Sequence, residues 1–131
     1  MKPRHFILLA TLLALASMAT GQESLNLRRG GYRQVPPEVW HTPGLKVLDL
    51  SKNDITALPD SIAVLPLTRL VLQRTYVTDF PATVKDSPLA ATLQLLDMRG
   101  CRLTEGQQEA IKELFPNTKI LWDEPCECGA D

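Results

Sequence analysis

Histidine is almost missing from this chain, aromatic rings are few, and no sign of charge dominates. The two histidines, His5 and His41, stand far apart in the sequence. That leaves little scope for a Ser-His-Asp arrangement or for a histidine-bearing metal site. There is no glycine-rich phosphate loop, no H-E-x-x-H and no G-x-S-x-G, so the familiar frameworks for phosphoryl, metal-assisted and acyl chemistry are lacking. Aromatics make up only 5% of the residues, so a core has to be assembled from aliphatic layers. With 14 basic and 15 acidic residues, the chain has no electrostatic footprint for nucleic acid or for an anionic membrane surface. The composition points to no enzyme, cofactor or metal centre.

What is present is leucine, in a chain of 131 residues that is 44% hydrophobic. That is enough apolar material for one folded domain and argues against wholesale disorder. One long apolar run occurs, from Phe6 to Ala16 behind the basic Lys2 and Arg4. It is too short to span a bilayer comfortably, and Ser17-Met18-Ala19 supplies the small residues of a cleavage site. Residues 1–19 therefore read as a secretory signal, with cleavage before Thr20 or alternatively before Ser17. Secretion or a periplasmic location is expected, without a stable membrane anchor. No cysteine follows the run, which argues against a lipoprotein anchor. Loss of Lys2 and Arg4 takes the net charge from −1 to −3.

Beyond residue 20 the chain repeats itself. LKVLDLSKNDITALPDSI from Leu45 superimposes without a gap on LTRLVLQRTYVTDFPATV from Leu67. Leu45, Leu48, Leu50, Ile55, Leu58, Pro59 and Ile62 match Leu67, Leu70, Leu72, Val77, Phe80, Pro81 and Val84, and Asn53 matches Thr75. A third copy runs through Leu93, Leu96, Met98, Cys101 and Leu103; a partial one precedes them through Leu25, Leu27, Gly30, Tyr32, Val35, Pro36 and Val39. Leu25, Leu48, Leu70, Leu96 and Ile120 follow each other at steps of 23, 22, 26 and 24 residues. Alternation in Leu48-x-Leu50 places both leucines on one side of a strand.

This pattern resembles the leucine-rich-repeat family, whose signature L-x-x-L-x-L-x-x-N-x-L recurs every 20–29 residues. The resemblance covers residues 20–131. It implies an α/β solenoid with a short parallel sheet on the concave face and an extended or helical convex side. Four to five rungs are expected, each relying on its neighbours to bury its apolar face. The family's asparagine satisfies buried backbone groups at the turn; Asn53 fits that slot, Thr75 and Cys101 fit it partly, and Gly30 marks an irregular first turn. The last unit differs. Thr104-Glu105-Gly106-Gln107 reads as a capping box opening a helix over 104–115 that Pro116 stops, with Ala110, Ile111 and Leu114 on one face.

In such proteins the outward positions of the sheet carry recognition, which implies a protein or peptide partner. The residues between the paired leucines are Asn26, Asp49, Val71, Asp97 and Leu121, and those before them are Ser24, Val47, Arg69, Leu95 and Lys119. Arg28, Arg29, Lys52, Arg74 and Arg99 follow the strands and fall along one edge. A basic ridge beside Val47, Val71 and Leu95 suits an acidic or carboxylate-bearing polypeptide. The bland alternative is a charged face that keeps the sheet soluble.

Cys101, Cys126 and Cys128 are an odd number for an oxidising compartment. Cys101 holds the asparagine slot, and the same slot one rung later is Pro125. Cys126 would then stand about one strand spacing away, close enough for a disulfide. A Cys101–Cys126 bridge is expected, with Cys101–Cys128 as the alternative; closing that loop would contribute roughly 3.5 kcal/mol. Residues 123–131 form a cysteine-containing tail, and Pro125-Cys126-Glu127-Cys128 looks like the opening of the cysteine-rich cap of extracellular leucine-rich repeats. The rival reading is thiol redox or metal chemistry at Cys126 and Cys128, although redox pairs are usually spaced Cys-x-x-Cys. A third is a scaffold that associates weakly with its own copy.

Overall fold

The structure, a computed structural model, describes residues 23–123. The apolar leader and the segment carrying Cys126 and Cys128 lie outside the described residues.

Five strands of three residues each recur along the chain: β1 Ser24–Asn26, β2 Val47–Asp49, β3 Arg69–Val71, β4 Leu95–Asp97 and β5 Lys119–Leu121. They form one parallel sheet in sequence order. Leu25 pairs with Leu48, Leu48 with Leu70, Leu70 with Leu96, and Leu96 with Ile120. The two-dozen-residue step is thus one turn of a solenoid. Three residues of strand could not hold together alone; the stacking does it. Leu48, Leu70 and Leu96 are fully buried, each followed on the same side by Leu50, Leu72 or Met98. Each such side chain contributes about 1.5–3 kcal/mol through the apolar area it withdraws from water.

The return path explains the prolines. Pro36, Pro59 and Pro81 all sit extended, with ψ between 149° and 159°. Each carbonyl then accepts the N–H three residues on, from Val39, Ile62 and Val84. A proline loses nothing here, because only its carbonyl is needed. Short 3-10 turns result at Pro37–Val39, Asp60–Val64 and Ala82–Val84, and they bury those same three residues. The convex side is extended as far as the proline and then briefly helical.

The long step of 26 residues has a cause too. After the third 3-10 turn the chain inserts helix α1, Pro88–Thr92, whose start is capped by Ser87 accepting from Ala90 N–H at 3.2 Å. Helix α2, Glu105–Leu114, opens on the expected capping box: Gln107 N–H donates to Thr104 Oγ1 and Thr104 N–H to Gln107 Oε1. Its buried face differs from expectation. Ile111 is buried and Leu114 half-buried, but Ala110 is exposed. Phe115 takes the missing share, because Pro116 ends the helix and Phe115 turns inward. Its ring meets Phe80 edge-on, with centroids 5.0 Å apart at 78°, a favoured aromatic geometry. Among the described residues no helix is long and apolar enough to cross a membrane.

Candidate functional site

The site is built at the corner where each strand leaves the sheet. In three rungs the residue between the paired leucines is Asn or Asp, and its side chain folds back on the outgoing chain. Asn26 Oδ1 accepts from Arg28 N–H, Asp49 Oδ1 from Ser51 N–H, and Asp97 Oδ1 from Arg99 N–H, at 3.1, 2.9 and 3.2 Å. These local bonds let the backbone leave the ladder without orphaned donors. The next residue is then left-handed: φ is 58° at Arg29, 57° at Lys52, 53° at Arg74 and 82° at Gly100. A side chain in that region costs about 1–2 kcal/mol. The ladder enforces it, because Arg29, Lys52 and Arg74 donate their N–H groups to Ser51, Gln73 and Arg99 carbonyls of the following rung. In the fourth rung a Cβ at Gly100 would come within 2.7 Å of Arg74 Cγ, so glycine makes room for the Arg74 stem. Gly100 N–H is met instead by the Asp123 carboxylate at 2.8 and 2.9 Å.

Beneath the corner lies the asparagine slot. Asn53 Oδ1 accepts from Gly30 and Tyr32 N–H; Nδ2 donates to the Leu27 and Leu50 carbonyls at 2.9 Å and to Ser51 at 3.3 Å. The irregular first turn at Gly30 is therefore held from the second rung. Thr75 and Cys101 do less: Thr75 Oγ1 and Cys101 Sγ both donate to the Leu72 carbonyl.

This geometry sorts the basic residues. Arg28, Arg29, Lys52 and Arg74 converge at one edge with no ion pair among the described residues, where the ion pairs are Arg99–Asp97 and Lys112–Glu109. Desolvation, then the charges of Arg28, Arg29 and Arg74, hold the Lys52 ammonium below its ordinary pKa. Ser51, 1% exposed, lies in the same corner, and its hydroxyl has no hydrogen-bond partner.

Arg99 does not join that group freely. Its Nε and Nη2 clasp the Asp97 carboxylate at 3.0 and 2.8 Å, while Gln73 Nε2 donates to Asp97 Oδ2 at 2.6 Å. Desolvation tends to raise the Asp97 pKa, but the bonds from Arg99 and Gln73 prevail and lower it. Asp97 is 1% exposed and Val71 7%. Neither has the exposed position expected of a contact residue, because the Gln73–Asp97–Arg99 network fills that part of the face. Asp49 is likewise partly committed, to Ser51. Val47 and Leu95 are half-buried, and Arg69 is exposed between them in register. The role of Gln73 was not legible as a site signal, since it depends on a side chain one rung away.

Among the described residues Cys101 is a free thiol, 5% exposed; its expected partners, Cys126 and Cys128, lie outside the described residues. Its Sγ is turned inward to the Leu72 carbonyl at 3.0 Å, with Thr75 Oγ1 at 3.6 Å. Burial pushes its pKa up, which is the wrong direction for a reactive thiolate. Among the described residues no three metal-ligating side chains cluster.

A short rung repeated in register, an asparagine under the corner and a parallel sheet on one face define a leucine-rich-repeat solenoid fold. The Leucine Rich Repeat family model matches residues 44–65, which is the second rung from strand to 3-10 turn. Among solved structures the chain is similar to a leucine-rich-repeat protein of Leptospira interrogans, with 31% identity and a TM-score of 0.58. The likeness covers 66% of this chain and 22% of that one, so the chain spans about a fifth of that protein's length. A comparison with curated proteins finds no match.

Proposed function

We propose that this protein is a secreted or periplasmic binding module that holds an acidic polypeptide segment on its concave sheet, at the edge marked by Arg28, Arg29, Lys52 and Arg74. The observation that carries this reading is the unpaired quartet itself. Desolvation first, and then the charges of Arg28, Arg29 and Arg74, disfavour the charge on Lys52, and an anionic partner relieves the repulsive share. Arginine suits the task, since its planar fork grips a carboxylate through two bonds. Beside the quartet, Val47 and Leu95 with the stem of Arg69 offer apolar contact inside a charged rim. Export rests on the apolar leader behind Lys2 and Arg4.

A fluorescent eight-residue glutamate-rich peptide tests the reading, titrated against the full chain at two salt concentrations. Binding should weaken as salt rises, because exposed charges are screened within about 8–10 Å at physiological ionic strength. Alanine at Lys52 and Arg74 together should weaken it by at least about tenfold, the loss expected of interface hot spots. Equal affinity for a lysine-rich control, or no response to the double substitution, would remove the quartet from consideration.

A further inference from the structure

Past the corner, the chain runs down a flank of the solenoid and leaves a second surface there. Arg33, Gln34 and Trp40 of the first rung, Asp54 and Thr56 of the second and Tyr76 of the third line a groove of about 890 Å³. The second rung carries the short side chains Asp54, Thr56 and Ala57 on this flank, and the rings of Trp40, partly packed on the core, and of exposed Tyr76 line the groove beside them. Tyr76 is 64% exposed and also borders a neighbouring groove toward Arg102. A large ring left in water at the junction of two grooves is a feature that packing does not require.

The polar groups around this groove are uncommitted. None of the side chains of Arg33, Gln34, Trp40, Asp54, Thr56 and Tyr76 makes a hydrogen bond or ion pair among the described residues. The exposed N–H groups of Thr56 and Ala57 are also unbonded to protein. Five of the six side chains can donate a hydrogen bond; Asp54, once ionised, only accepts. The complementary ligand therefore offers many acceptors, flat apolar rings and one cation. An extended proline-rich segment has that chemistry. It lacks N–H groups at its prolines, presents solvated carbonyls along a preformed helix, and lays its rings on aromatic walls. A neutral sugar, whose hydroxyls donate as readily as they accept, would find acceptors only in Asp54, the Gln34 carbonyl and the Thr56 and Tyr76 hydroxyls, and would leave the N–H donors of Arg33 and Trp40 in excess.

We propose that this flank groove binds an extended, proline-rich peptide segment carrying one basic residue. Its prolines lie between Trp40 and Tyr76, its carbonyls accept from Arg33 and Thr56, and its cation faces Asp54. None of the quartet lines this groove, although Arg74 borders the adjoining one that Tyr76 shares.

The test is fluorescence polarisation with the full chain and a labelled ten-residue proline-rich peptide containing a single arginine. The control has glycine and serine in place of the prolines. The proline peptide should bind at least about tenfold more tightly than the control, since a preformed ligand loses less freedom on docking. Tyr76→Ala should cost at least about tenfold, as removal of an aromatic anchor does, and Tyr76→Phe should keep most of the affinity. A thermal melt of Tyr76→Ala matching the unmodified protein shows that an exposed ring, not the fold, was lost. Asp54→Asn should abolish the preference for arginine over a neutral residue. Alanine at Arg28 and Lys52, which border neither groove, should leave this binding unchanged, so failure here and failure of the concave reading are told apart. Equal affinity for the glycine–serine control, wild-type binding by Tyr76→Ala, or displacement by unlabelled chitotetraose instead of unlabelled peptide would each overturn the proposal.

Discussion

Replacement of Asn53 by alanine isolates what holds the rungs at their corner. The amide joins two rungs through four strong contacts: Gly30 and Tyr32 N–H to its oxygen, and its nitrogen to the Leu27 and Leu50 carbonyls. Water can reach the two N–H groups, which lie in a part-buried turn. It reaches the carbonyl contacts poorly, since those bonds are buried. Orphaning buried polar groups costs about 1–3 kcal/mol each, so Asn53→Ala should destabilise by about 2–4 kcal/mol. For a domain near 100 residues that corresponds to a fall in Tm of roughly 10–25 °C. Asn53→Thr should recover part of the loss, because Thr75 already shows a hydroxyl reaching the carbonyl of its own rung at 2.9 Å. Thermal and urea unfolding followed by circular dichroism measure both. If Asn53→Ala lost less than about 1 kcal/mol, or threonine were no better than alanine, the corner would not depend on the amide and the reasoning from buried polar satisfaction would fail here.

Other perturbations probe different links. Leu70→Ala opens a cavity between two neighbouring rungs and should cost about 2–5 kcal/mol by urea unfolding; a cost under about 1 kcal/mol would mean the rungs are not packed as described. Asp97 has its pKa lowered in the folded state, so its stabilising contribution is present above its ordinary value of 3.8 and is lost as pH falls through the folded value. Asp97→Asn should therefore flatten the acid limb of a stability–pH profile, and an unchanged limb would contradict the Arg99–Gln73 clasp. Lys52 is the opposite case: its lowered folded pKa means its charge opposes folding, and that opposition is relieved as pH rises through the folded value toward 10.5. Lys52→Gln should gain stability at low salt and neutral pH, with the gain shrinking as salt screens the quartet. A loss of stability at low salt would refute the crowding.

The rungs were legible because a solenoid writes its register into the chain at a fixed period. Leu48, Leu70 and Leu96 stack where their spacing put them, and the Thr104–Gln107 box opened its helix at the expected residue. What the sequence could not reveal depends on contacts across rungs. Asp97 alternates outward like Asp49, yet Gln73 and Arg99 fold over it and bury it. Ala110 keeps the right helical phase, but Phe115 reaches the core first because Pro116 ends the helix there. The recurring Pro36, Pro59 and Pro81 marked the convex return as extended, but their spacing alone did not show that each carbonyl closes a 3-10 turn three residues on.

Amide chemical-shift mapping tests the account's main functional claim most directly. Isotope-labelled protein is titrated with the glutamate-rich peptide and the perturbed residues are located on the solenoid. Shifts concentrated at Arg28, Arg29, Lys52 and Arg74, spreading to Val47 and Leu95, are the expected result. Shifts confined to the convex turns, or none at peptide concentrations that saturate binding, would contradict it.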